Sequence, residues 1–188
     1  MRPSRIFRWI VRIFLLVFTL SLSAVSLLGG FSAVTILNPD SYSINIPDGT
    51  PSFNFNISVP ANMQIVVPFN ISNAGVYELG DVSLIFGIWM TYGDKTNFNQ
   101  TTIVKIFEKA VNYGNIAPAA VLKSNFNGTG SDGFILSNIP DPDTEVDKTR
   151  LPHDLEFYAN FTFSSSYSLN LYTFSVNIIN QTIGYFDF

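Results

Sequence analysis

Charge is segregated along this chain in an order that a lipid bilayer explains. Arg2, Arg5, Arg8 and Arg12 come first, Ile13 to Pro39 carries no charged side chain, and every acidic residue lies at Asp40 or beyond. The block from Ile13 to Leu37 reads IFLLVFTLSLSAVSLLGGFSAVTIL. As a helix rising about 1.5 Å per residue it exceeds the hydrocarbon thickness of a bilayer, about 30 Å, and tilt absorbs the surplus. Its Ser and Thr hydroxyls can bond carbonyls one turn back. The positive-inside bias keeps the four arginines in the cytoplasm, and no Lys or Arg between Arg12 and Lys95 competes with that orientation. The expected layout is a basic cytoplasmic N-terminus over 1–12, a transmembrane helix over 13–37 and an extracytoplasmic domain over 38–188, at the cell membrane. Trp9 falls at the inner interface, where amphipathic aromatics collect.

Two other readings share this geometry. A cleaved secretory signal would use Ile13 to Leu28 as its apolar core and Gly30-Phe31-Ser32 as its small-residue site. It too leaves the remainder outside. The outline also resembles archaeal type IV pilins, in which an apolar N-terminal helix precedes a β-rich head. Their processing site is a basic residue followed by a small one, whereas here Arg12 is followed by Ile13.

The outer part is long enough for one domain with a real core. Six basic residues against fourteen acidic ones leave 38–188 at a net charge of −8. An acidic surface argues against nucleic-acid binding, which needs a basic patch. The chain has no cysteine, so a thiol nucleophile and a disulfide framework are both ruled out.

Apolar residues recur with period two, the mark of strands with one buried face. Phe53, Phe55, Ile57 and Val59 form one series, and Met63, Ile65, Val67, Phe69 and Ile71 a second. Val82 to Met90, Leu155 to Phe163 and Tyr172 to Ile178 give three more, and Thr182 to Phe188 closes the sheet. Pro47-Asp48-Gly49, Pro60-Ala61-Asn62, Asn73-Ala74-Gly75 and the serines from Ser164 to Ser166 supply turn chemistry between them. The expected fold is mainly β, with the N-terminal helix followed by an antiparallel immunoglobulin-like β-sandwich. Ile103, Phe107, Ala110 and Val111 break the rhythm, and a short helix over Thr102 to Asn112 competes there with a strand. Asn125 to Gly133 and Ile139 to Pro152 read as loops.

Six Asn-X-Ser/Thr sequons occur, at Asn56, Asn70, Asn99, Asn127, Asn160 and Asn180, all on the side expected to be outside. Asn56, Asn70 and Asn160 fall on polar strand faces, and Asn99 and Asn127 in expected loops. Each is a candidate N-glycosylation site. The run from Asp141 to Asp147 places Asp141, Asp143, Glu145 and Asp147 on alternate residues, a set of oxygens suited to calcium. It lacks the central glycine and spacing of an EF-hand, and a solvated acidic loop is the plainer reading. His153 is the single histidine, and no serine sits in a Gly-x-Ser-x-Gly elbow. Nothing amounts to a catalytic site, and no cofactor other than calcium is implied. Tyr77, Trp89, Tyr92 and Tyr113 stand apart from the Phe-rich stripes as candidates for an exposed patch.

The run MQIVVPFNISNAGVYELGDVSLIFGIWM joins an apolar strand, Asn73-Ala74-Gly75-Val76-Tyr77 and an Asp-led apolar strand. It resembles the late-embryogenesis-abundant type 2-like β-sandwich, which commonly shows Asn-Pro-x-x-Tyr before a strand. The proline is missing here, while Asn38-Pro39-Asp40-Ser41-Tyr42 supplies one nearer the membrane. The resemblance covers about a third of the chain. It implies a non-catalytic sandwich on a single membrane anchor and transfers no functional residue. The expected role is a structural or interaction module of the cell envelope. Its partners would be the lipid bilayer through 13–37 and an envelope protein or glycan. A ligand- or calcium-binding surface module and a pilin-like filament subunit are the alternatives.

Overall fold

The apolar block folds as one unbroken helix. In the computed structural model, which describes residues 3–38, 43–56, 59–95, 100–149, 151–167 and 172–186, helix α1 runs Pro3–Leu37. The Thr19 hydroxyl donates to the Leu15 carbonyl at 2.9 Å, Ser21 to Val17 at 2.9 Å and Thr35 to Phe31 at 3.0 Å. These side chains therefore satisfy themselves within the helix, as an apolar environment requires. From Phe7 to Leu28 the large apolar side chains other than the half-buried Val25 point outward, Phe14 at 68 % exposure and Leu27 at 73 %. The stretch Phe7–Ile36 is long and apolar enough to cross a membrane.

The last two turns of α1 change character. Gly29, Ser32 and Ile36, spaced so as to share one helix face, are buried. Ile36 belongs to the core of the β domain. The Tyr172 hydroxyl lies 2.6 Å from Ser26 Oγ, and the Val76 amide donates to Ser32 Oγ at 3.4 Å. Gly75 makes this approach possible: a Cβ there would collide with the Tyr167 hydroxyl and press on Ser32.

The remaining chain forms two antiparallel sheets packed face to face, the immunoglobulin-like sandwich expected. In the first, β3 (Gln64–Ser72) is central. The short β1 (Ile44–Asn45) and β2 (Ser52–Asn54) flank one side of β3, and β6 (Val121–Thr129) the other. The second has the order β5 (Thr101–Ile116), β4 (Leu79–Gly93), β7 (Leu155–Tyr167), β8 (Tyr172–Phe186). Alternation decides which face is inward: Ile65, Val67, Phe69 and Ile71 of β3 are buried, as are Val82, Leu84, Phe86, Ile88 and Met90 of β4. Aromatic pairs join the sheets. Phe86 meets Phe126 edge-on at 5.6 Å, Phe55 stacks on Phe157 at 4.5 Å, and Phe69 meets Tyr113 at 4.8 Å.

One open alternative is decided and three local expectations need correcting. Thr102 to Asn112 lies within strand β5, not a helix. Ile88 pairs with Phe107 and Trp89 with Lys105, which leaves Ile106 as the extra residue of a bulge. Ile106 and Phe107 are consequently both buried, and the shift of phase imitates helical spacing. Asn125 to Thr129 is strand, the end of β6, whose exposed alternates Asn125, Asn127 and Thr129 look like loop in the sequence. Asn127 therefore stands on a strand rather than in a loop. The serines from Ser164 to Ser166 lie inside β7, where the Ser165 hydroxyl donates to the Gly80 carbonyl at 2.8 Å, beside a register shift of β4. Tyr172–Phe186 is one strand, with no separate closing element from Thr182 among the described residues.

Candidate functional site

The acidic run sits in the irregular segment after a single turn of 3-10 helix at Leu136–Asn138. Its carboxylates bond the loop's own backbone. Asp141 Oδ1 accepts from the Asp143 amide at 3.0 Å, Glu145 Oε2 from the Asp141 amide at 2.8 Å, and Asp147 Oδ1 from the Thr149 amide at 3.0 Å. The amide bond from Asp143 is the main reason that the Asp141 carboxyl is held below the usual carboxylate range. The loop is pinned to the end of β4, since the Lys95 amide donates to the Glu145 carbonyl and the Asp147 amide to the Gly93 carbonyl, both at 2.9 Å. Val146 is buried beneath it. Among the described residues no group of three or more His, Asp or Glu side chains gathers to hold a metal ion. Asp143 is 89 % exposed. Asp143→Ala, and calcium added to the parent chain, are each expected to move the thermal midpoint by less than about 2 °C. A rise of several degrees with calcium would restore the calcium reading.

The sequons differ in access. Asn127 and Asn180 are exposed. Asn56 is half-buried, its side-chain oxygen accepting from the Val59 amide at 3.0 Å. The Asn70 oxygen is buried, with no hydrogen-bond partner among the described residues. Asn99 lies outside the described residues, as do Pro39 to Tyr42 of the Asn-Pro-x-x-Tyr run. Of the aromatic candidates, Tyr92 is buried, and burial first, then Glu145 and Asp94, pushes its hydroxyl pKa up. Tyr113 packs against Phe69 and Tyr77 against Tyr167. His153 stacks on Tyr185 at 3.8 Å.

Trp89 is different. It stands on the outer face of the second sheet, opposite Lys105 on β5 and Tyr158 on β7. Together with Thr91, Ile103, Asn160 and Asn180, Trp89 and Tyr158 line an open cleft of about 400 Å³. Gly87, two residues back on the same face, lets the indole lie down on the sheet. A Cβ at Gly87 would sit 2.7 Å from the outer ring carbons of Trp89. Charge in and around the cleft is compensated in part. Lys105 Nζ lies over the Trp89 ring, 5.1 Å from its centroid, and pairs with Glu108 at 3.0 Å, so a ligand stacking on that face of the indole displaces the ammonium. The Tyr158 hydroxyl donates to Glu156 at 2.6 Å, the main cause of its raised pKa. Asn160 Oδ1 accepts from the Asn180 amide at 2.7 Å. This holds Asn180 where β8 turns through a left-handed φ of 55°, a conformation that asparagine tolerates. The sequence singled out Trp89 and both asparagines, but not Tyr158 or Thr91.

No family model matches the sequence, and no similar curated protein is found. Among solved structures the chain is similar to the sporulation control protein Spo0M of Bacillus subtilis. The TM-score is 0.34 at 10 % identity, over 77 % of this chain and 49 % of that one, so the chain spans about half the length of Spo0M. It is similar also to the putative ApaA protein of Bordetella pertussis, with a TM-score of 0.30 at 9 % identity over 77 % and 91 % of the two chains. The third is DesR, a β-glucosidase of Streptomyces venezuelae, with a TM-score of 0.26 at 9 % identity over 73 % and 15 %. Likenesses this distant do not bear on function.

Proposed function

We propose that this chain is a single-pass protein of the cell membrane, anchored by α1, that displays its β-sandwich outside as a structural or interaction module of the envelope. The observation that carries this reading is the outward-facing apolar surface of α1 from Phe7 to Leu28. That segment is roughly 33 Å long at 1.5 Å per residue, close to one bilayer, and it runs straight into a domain whose own surface is acidic. Exposed apolar area on this scale needs lipid or protein to cover it. The four N-terminal arginines support a cytoplasmic N-terminus. The module is non-enzymatic in this reading, in keeping with the late-embryogenesis-abundant type 2-like resemblance, and carries N-linked glycans.

Protease treatment of intact cells, followed by mass spectrometry, tests orientation and modification together. Peptides from β3 to β8 are expected to be released while an N-terminal tag stays protected. Glycan mass is expected on Asn127, which is exposed on β6. A sandwich protected in sealed cells would reverse the orientation, and a chain extracted by alkaline carbonate would remove the anchor.

A further inference from the structure

We propose that the cleft over Trp89 binds a neutral saccharide carried by another molecule. The Trp89 and Tyr158 rings form its platform, and Thr91, Asn160 and Asn180 its hydrogen-bonding rim. The inference names the partner class of the interaction module and rests on that reading for its outer placement.

A pyranose ring has two chemically distinct surfaces, a pair of C–H faces and a rim of hydroxyls. A site for it needs a flat apolar surface beside groups that both donate and accept. The cleft supplies both on one sheet face. Trp89 and Tyr158 are direct cross-strand neighbours, and aromatic rings offer large, rigid contact area with a negative π face that suits C–H groups. Asn160 and Asn180 bring amides with both donor and acceptor capacity, and Thr91 brings a hydroxyl. A volume of about 400 Å³ falls in the range of small-molecule sites.

Two features mark the cleft as built rather than incidental. Gly87 is a residue that weakens a strand interior, yet it sits in the middle of β4, where its missing Cβ gives the indole its place. Lys105 is matched by Glu108, and Glu156, held by the neutral Tyr158 hydroxyl, keeps its negative charge. Among the described residues that leaves one negative charge and no unpaired cation beside the cleft, which disfavours an acidic ligand and suits an uncharged sugar.

Asn160 and Asn180 are also sequon residues, so a glycan attached to this chain is a second source of the same chemistry. Thr162→Ala and Thr182→Ala remove both sequons while leaving the asparagines in the cleft. This separates the two sources.

The test uses the full chain, made without glycosylation and held in lipid nanodiscs free of glycoside detergent. Trp9→Phe leaves Trp89 as the only tryptophan. N,N′-diacetylchitobiose, cellobiose, maltose and mannobiose are titrated against its fluorescence. At least one is expected to give a saturable shift. Gly87→Ala, which dislodges the indole, and Thr91→Val, which removes only a hydroxyl, are each expected to weaken that binding roughly tenfold at an unchanged thermal midpoint. No saturable shift with any of the four overturns the proposal, as does binding that both variants leave untouched. The chain purified from its own membrane is then titrated. Binding by the unaltered chain supports a ligand from elsewhere. Binding only after the two threonine substitutions assigns the cleft to the chain's own glycan and overturns the proposal as stated. Retention in the nanodisc reports on the anchor independently, so failure of the anchor reading and failure of the sugar reading are seen separately.

Discussion

Phe86→Ala is expected to destabilise the outer domain by about 3–5 kcal/mol, a large share of the roughly 5–15 kcal/mol that holds a typical domain together. Phe86 sits mid-strand in β4, which is paired on both sides, and its side chain has no exposure. Its ring stacks on Phe161 at 4.2 Å and meets Phe126 at 5.6 Å and Phe107 at 5.8 Å. The substitution therefore removes transfer free energy, leaves a cavity between the sheets and breaks three ring contacts at once. Ile85 is the control. It is adjacent in sequence but faces out at 37 % exposure, and Ile85→Ala is expected to cost less than about 1 kcal/mol. Urea unfolding followed by circular dichroism gives both values. Equal losses would mean that the inward face of β4 has been assigned wrongly.

Placing arginine at both Leu16 and Phe18 is expected to abolish membrane insertion. These residues are 59 % and 55 % exposed and lie near the middle of the outward-facing stretch. Two positions apart on a helix, they point to different sides, so no single rotation hides both charges from lipid. Each arginine at the centre of a spanning helix costs about 2.5–3.5 kcal/mol on insertion scales. Together they convert a favourable anchor into an unfavourable one. The double variant is expected to leave the carbonate-resistant membrane fraction, while the sandwich keeps its melting temperature, because neither side chain packs on it. Continued retention in the membrane would show that something other than α1 holds the chain there.

The two predictions draw on the parts of the fold that were most legible in the sequence. Segregated charge marked α1, and strict alternation marked β3, β4, β7 and β8, because a strand with one buried face writes its period directly into the residue order. The bulge at Ile106 hid β5 by shifting that period. The two-residue strand β1 was too short to carry a usable pattern, and the alternation read from Phe53 to Val59 outran the three-residue β2, with Val59 exposed. Ser165 looked like turn chemistry because its bond to the Gly80 carbonyl spans 85 residues of chain. The cleft suffered most from distance. Trp89, Tyr158 and Asn180 come from three strands, and a residue such as Tyr158 reads simply as an exposed position until its cross-strand neighbour is known. Gly87 looks like a flaw in a strand until the indole above it is seen.

The docking of the last turns of α1 has a consequence for how this protein meets its surroundings. An anchor that ends in slack chain lets its cargo swivel and sweep a hemisphere above the lipid. Here Ile36 is part of the core, and Ser26 and Ser32 are bonded to the sandwich, so the helix acts as an axle rather than a leash. With the helix seated in a membrane, the face carrying Trp89 keeps one height and one bearing relative to the axle. A partner has to approach at that level, and any tilt or rotation of the helix within the bilayer is passed on to the whole domain.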